Sequence, residues 1–148
     1  MVANIRSGSS PGGALHYNKE KVDKDEAEVL YWQKMLEPFD KHGRMDVDAC
    51  MESFRPYLEA NRRTTNTVFH VSLNPSPEDR LTDEQLREIA NEYMQKMGYG
   101  DQPYIVFKHK DIDRHHLHIV SLRIDENGRK ISDSHEYDRS MSVLRELE

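Results

Sequence analysis

Apolar and polar positions alternate along Thr67-Val68-Phe69-His70-Val71-Ser72-Leu73, and Asn74-Pro75-Ser76-Pro77 ends the run. A period of two marks a half-buried strand, and proline stops one because it has no N–H for the ladder. The period then changes. Leu86, Ile89, Ala90, Tyr93, Met94 and Met97 recur at helical spacing, so the segment is expected to bury one helical stripe. Thr82 stands as its N-cap, with Gln85 three residues on as in a capping box and Leu81 and Leu86 placed as a staple; Gly98 ends it. Pro103 to His109 then reads as a strand, Lys110 to Arg114 as a polar link and His115 to Ile124 as a second strand. Asp125-Glu126-Asn127-Gly128 is a turn, and Ser134 to Glu148 starts a helix with no stop signal.

The first half is less regular. Asn4-Ile5-Arg6 is a short strand, and residues 7–13, Ser-Gly-Ser-Ser-Pro-Gly-Gly, are expected to form a flexible Gly/Ser loop, neither helix nor central strand. Ala14 to Val22 is expected as a short helix or extended turn and Asp25 to Leu36 as a second helix, anchored by Tyr31 and Trp32. Met45 to Ala60 has helical spacing that Pro56 should kink or split. Strand, helix, hairpin and helix in the second half predict an α+β domain: a central antiparallel sheet with helices packed mainly on one face.

At 148 residues the chain has room for one domain with a modest core, and 36% hydrophobic against 32% charged residues excludes full disorder. No apolar run approaches the roughly 20 residues of a membrane span, and the N-terminus lacks a secretory apolar region. One cysteine, Cys50, leaves no internal disulfide and suits a reducing cytoplasm. The net charge of −6 removes bulk electrostatics as a means of gripping nucleic acid. Residues 1–60 carry 8 basic against 11 acidic side chains and residues 61–148 carry 13 against 16, so neither half is basic. Any nucleic-acid contact must be local.

Three histidines change the picture: His109-Lys110-Asp111, four further residues, then His116-Leu117-His118. In a strand His116 and His118 share a face, about 6–7 Å apart, and Val120, Leu122 and Ile124 continue it. If Lys110 to Arg114 turns a hairpin, His109 returns beside His116. Three imidazoles on an otherwise apolar surface are costly to bury without a partner, so a metal or phosphate site is expected there. Asp111 is near enough to accept the outer N–H of a ligand histidine. His115 faces the other way, and His42 and His135 read as surface residues. His70 lies on the face of Ser72 and stays open between ligand and core. Tyr17, taken alone, is a half-exposed aromatic on a helix face.

The run His109-x-Asp111-x4-His116-Leu117-His118 resembles the third motif of conjugative and mobilisation relaxases, in the HUH endonuclease superfamily. Phe69-His70-Val71-Ser72-Leu73-Asn74-Pro75 is similar to their second motif, and Gly8-Ser9-Ser10 through Ala14-Leu15-His16-Tyr17-Asn18 to their first. Order and spacing agree over nearly the whole chain, nearest to mobilisation proteins of Bacteroides-type elements.

The resemblance implies a relaxase catalytic domain over 1–148 with a ferredoxin/RRM-like HUH core, and the C-terminal helix without a stop signal makes a domain cut short at its C-terminus the expectation. It implies Tyr17 as nucleophile, His109, His116 and His118 as ligands of a divalent metal, and Asp111 in support. Mg²⁺ or Mn²⁺ would be in use, while Ni²⁺, Co²⁺ or Zn²⁺ could occupy the site. The expected reaction is strand-specific nicking of single-stranded DNA at a transfer origin through a reversible 5′-phosphotyrosyl intermediate, with accessory relaxosome proteins as further partners and no membrane. Ser72, Asn74, Arg62 and Arg63 are the candidate DNA contacts. A replication initiator of the same superfamily would share the metal site but usually places its tyrosine after the histidine pair. A histidine-triad hydrolase needs a third alternating histidine where Val120 stands. A non-enzymatic ferredoxin-like module is the remaining alternative, favoured by the acidic charge.

Overall fold

The computed structural model describes residues 1–111 and 115–148. Five strands, β1 (Val2–Gly8), β2 (Ala27–Gln33), β3 (Val68–Asn74), β4 (Tyr104–His109) and β5 (His116–Leu122), form one sheet in the order β1-β3-β5-β4-β2. Every neighbouring pair is antiparallel. The helices are α1 (Pro11–Asp23), α2 (Val47–Ala60), α3 (Asp83–Met97) and α4 (Glu136–Leu147). The α+β class and the antiparallel sheet are as expected from the sequence. The link after Lys110 is described only as far as Asp111, because residues 112–114 lie outside the described ones.

The helices divide two and two between the faces of the sheet instead of gathering on one. The cause is visible in β4 and β5. Tyr104, Val106, Leu117 and Ile119 face one way, into a cluster with Leu86, Ala90, Tyr93, Met94 and Met97 of α3 and Val143 and Leu144 of α4. Ile105, Phe107, Val120 and Leu122 face the other way, onto Leu15 of α1 and Val47, Cys50 and Phe54 of α2. Strands that are apolar on both faces need cover on both.

Residues 7–13 are mostly ordered elements. Ser7 and Gly8 complete β1, and α1 begins at Pro11 with Ser10 as its cap, whose Oγ accepts from the Gly13 N–H at 3.0 Å. The first helical turn has no use for the N–H that proline lacks, so Pro11 is favoured there. A Cβ on Gly13 would lie 3.1 Å from Ser10 Oγ, so the small residue lets the cap sit close.

The segment expected as a second helix is instead the edge strand β2. A bulge lies between Val29 and Tyr31, putting Leu30 and Tyr31 against one cluster and Val29 and Trp32 against the other. The bulge imitates helical spacing, while the β-branched and aromatic run Val29-Leu30-Tyr31-Trp32 suits a pleated strand. Pro56 does not split α2, which runs unbroken from Val47 to Ala60. Its buried stripe, Val47, Cys50 and Phe54, lies wholly ahead of the proline. The signals on α3 hold: Thr82 and Gln85 close a reciprocal capping box at 3.1 and 2.8 Å, and Gly98 ends the helix at φ 93°.

Arg123 is fully buried and gives all its N–H groups to Val68 O, Tyr99 Oη, Ser7 Oγ and both carboxylate oxygens of Glu136. That pairing fixes the start of α4 against β1 and β3.

Candidate metal centre and nucleophile

Antiparallel register sets His109 directly opposite His116, and Ser72 opposite His118. The alternation of β5 then turns His116 and His118 to the α1 side, on the face that Val120 and Leu122 continue. The ring centroids of His109 and His118 are 3.8 Å apart, and those of His116 lie 5.1 and 5.2 Å from them. One ring nitrogen from each of the three comes within 4.8 Å of the others. The expected convergence of His109, His116 and His118 is present.

Two of the rings have their orientation fixed. Asn18 is wholly buried on α1, and its Nδ2 donates to Ala14 O at 2.9 Å. Its Oδ1 is thereby the acceptor for His109 Nε2, at 2.7 Å. His109 thus carries its proton on Nε2 and presents the Nδ1 lone pair. His118 pairs through Nδ1 with His70 Nε2 at 3.0 Å, which leaves its own Nε2 for the cluster. Outer hydrogen bonds of this kind hold the tautomer and ring plane of a ligand histidine. Burial, with help from neighbouring imidazoles, lowers His109 to about 4 and His118 to about 2; burial, then the Arg6 charge, lowers His70 to about 4. All three are neutral at pH 7, the form that binds metal. Three imidazoles converging in this way fit a divalent ion.

Tyr17 immediately precedes Asn18 on α1 and sits over this cluster. Its ring centroid is 6.0 Å from that of His118, 6.2 Å from His109 and 6.3 Å from His70, while 41% of the residue stays open to solvent. The glycines before it had hidden this position from a reading of the sequence alone.

Asp111 takes a different partner from the one expected. Its carboxylate accepts from Lys21 Nζ at 3.0 Å, and that ammonium also meets Glu26 at 3.2 Å. The Lys21 bond holds the Asp111 carboxyl below its ordinary range. A lysine is a stronger partner for a carboxylate than a neutral imidazole, and the outer nitrogen of His109 belongs to Asn18. Ser72 and Asn74 lie beside the cluster on its own face of β3, joined by a 3.4 Å contact from Asn74 Nδ2 to Ser72 Oγ. Arg62 and Arg63 are not brought to the site. They are exposed in the loop that leads to Val68, which pairs with Leu122 at the far end of β5 from the histidines.

Asn18 and the His70–His118 pair were not assigned from sequence. A signal existed for Asn18: Leu15 and Asn18 are spaced i, i+3, so a helix that buries one also turns the other inward, where an amide needs partners.

The chain belongs to the relaxase family of MobA/VirD2-like nuclease domains, whose family model matches residues 17–148. It is 30% identical over 90 residues, 60% of its length, to Protein rlx of Staphylococcus aureus. The chain spans 27% of that relative's length.

Proposed function

We propose that this domain nicks one strand of DNA at a transfer origin, with Tyr17 as nucleophile. The observation that carries the reading is the Tyr17 ring about 6 Å from three neutral imidazoles, His70, His109 and His118, on a face left open to solvent. His109, His116 and His118 would hold a divalent ion, Mg²⁺ or Mn²⁺ in use, which acts as a Lewis acid on a phosphate oxygen when bound. The Tyr17 oxygen attacks phosphorus, the bond from phosphorus to the 3′-oxygen breaks, the phenolic proton passes to solvent and the departing 3′-oxygen takes one up. The phosphotyrosyl ester keeps the energy of the broken bond, so the same 3′-hydroxyl can reseal the strand. Asp111 acts at one remove, holding Lys21 and with it the end of α1. Ser72 and Asn74 offer hydrogen bonds to the strand's backbone.

The partners under this reading are single-stranded origin DNA and accessory relaxosome proteins, in the cytoplasm. Among the described residues no helix is long and apolar enough to cross a membrane. The test is a labelled single-stranded origin oligonucleotide incubated with the chain and Mn²⁺. A covalent adduct that survives denaturation and is absent from Tyr17→Phe is expected; an adduct formed equally by Tyr17→Phe removes Tyr17 from the chemistry.

A further inference from the structure

The acidic chain still has to hold a polyanion, and the cations that flank Tyr17 and His109 in sequence are engaged. Lys19 is held by Asp23 at 2.6 Å, Lys21 by Asp111 at 3.0 Å, Lys108 by Asp83 at 2.7 Å and Lys110 by Asp25 at 3.8 Å. Arg6 is different. Its side chain is exposed and makes no hydrogen bond or ion pair among the described residues.

Its place follows from the register. Arg6 of β1 pairs with His70 of β3, so the two side chains leave the sheet on the same face, neighbours across the strands. Ala3 and Ile5 pack toward the α3 side, which sends Asn4 and Arg6 to the histidine side. The Arg6 charge is felt at both His70 and His118. The apolar cluster under α1 and α2 draws its sheet residues from β2, β4 and β5, so β1 and β3 keep an open polar strip there: Asn4, Arg6, Ser72 and Asn74.

We propose that Arg6 binds a backbone phosphate of the single strand beside the phosphate that Tyr17 attacks. The proposal rests on the nicking reading above and adds the missing cation to it. A guanidinium with free donors on a water-accessible strip can meet a phosphate with two parallel hydrogen bonds, which a lysine cannot reproduce. Because the contact is to backbone, it carries register and affinity and no base preference.

The experiment is equilibrium binding of a labelled oligo(dT) strand to the whole chain with Mn²⁺, followed across salt concentrations by fluorescence anisotropy. Each phosphate contact on a single strand contributes about 0.7 to the slope of log affinity against log salt. Arg6→Ala should lose about tenfold in affinity and flatten the slope by about 0.7. Arg6→Lys should keep the slope and recover only part of the affinity. Mn²⁺ affinity should stay the same or tighten in Arg6→Ala, since a positive neighbour has been removed; a merely structural role would weaken it along with DNA binding. Arg62→Ala and Arg63→Ala, at the far end of the sheet, should leave the slope alone. A wild-type slope in Arg6→Ala, or an equal loss in Arg62→Ala, overturns the proposal while the nicking reading survives. A wild-type chain that neither binds the strand nor forms an adduct overturns both.

Discussion

On the α3 and α4 side of the sheet, the large buried polar groups among the described residues have found protein partners. Arg123 is saturated by Glu136, Tyr99, Ser7 and Val68 O, Tyr93 meets Ser140 at 2.8 Å, and Tyr104 donates to Asn91 at 2.5 Å. On the α1 side the histidine end is arranged otherwise. Asn18 and His70 satisfy one nitrogen each of His109 and His118, and one ring nitrogen from each of His109, His116 and His118 lies within 4.8 Å of the others. Imidazoles gathered in this way are suited to binding an ion. One face is closed by large apolar side chains and paired polar groups and the other gathers imidazoles at its open end; the two share strands, so adjacent residues belong to different regimes.

The sharpest way to break that division is Tyr17→Phe. Covalent attachment to DNA should vanish, while melting temperature and Mn²⁺ binding stay at wild-type values, since the half-exposed ring keeps its packing. A second pair of variants tests neighbours in sequence. Leu117 and His118 are consecutive on β5 and face opposite sides. Leu117→Ala should cost about 2–5 kcal/mol of stability and keep the stabilisation by Mn²⁺. His118→Ala, or equally His116→Ala, should lose that stabilisation, roughly 2.7 kcal/mol at a hundred times the dissociation constant. Denaturant melts with and without Mn²⁺ read both; an unchanged metal gain in His118→Ala would sink the metal site.

The same division explains what the sequence could say. The β4–β5 histidine geometry was readable because strand alternation and hairpin pairing are rigid rules, and they fix His109 opposite His116 without knowledge of the rest. The cap, stripe and stop of α3 were readable for a like reason, being local chemistry. The β2 strand was not, because its bulge shifted the apolar positions from a period of two toward helical spacing. Nor was the position of Tyr17, since α1 had to be followed back through a proline and two glycines to a cap at Ser10. Long-range partners were hidden altogether. Nothing local links Asn18 to His109, 91 residues away, Lys21 to Asp111, 90 residues away, or Arg6 to His70.

Asn18 offers a smaller effect. Asn18→Ala should weaken Mn²⁺ binding by roughly 10–100-fold, the usual consequence of losing the outer partner of a ligand histidine. Asn18→Asp keeps an acceptor for His109 Nε2 and should recover much of that affinity in isothermal titration. Equal losses in both variants would mean that Asn18 serves only to pack α1.

The smallest effect is a slope. In chelator, the metal-free chain holds His109 and His70 near a pKa of about 4 and His118 near about 2, against an ordinary value of 6.5. The folded state therefore binds fewer protons than the unfolded state below pH 6.5. Stability is fully present above that pH and is lost as pH falls from 6.5 toward 4, at no more than about 1.4 kcal/mol per pH unit for each histidine. Carboxylates enter mainly at the acid end of this window, so the range from 6.5 to 5 isolates the imidazoles. Leu117→Ala should lower the whole curve of stability against pH and leave its slope unchanged, because the residue lies on the other face and does not titrate. His118→Ala should flatten the slope in that range, since it removes the most depressed member of the cluster and relieves its neighbours. Urea melts in chelator at half-unit steps would resolve the two shapes. A parallel shift in His118→Ala would mean that the histidines are solvated in the apo protein, and the contrast between the two faces would lose its physical basis.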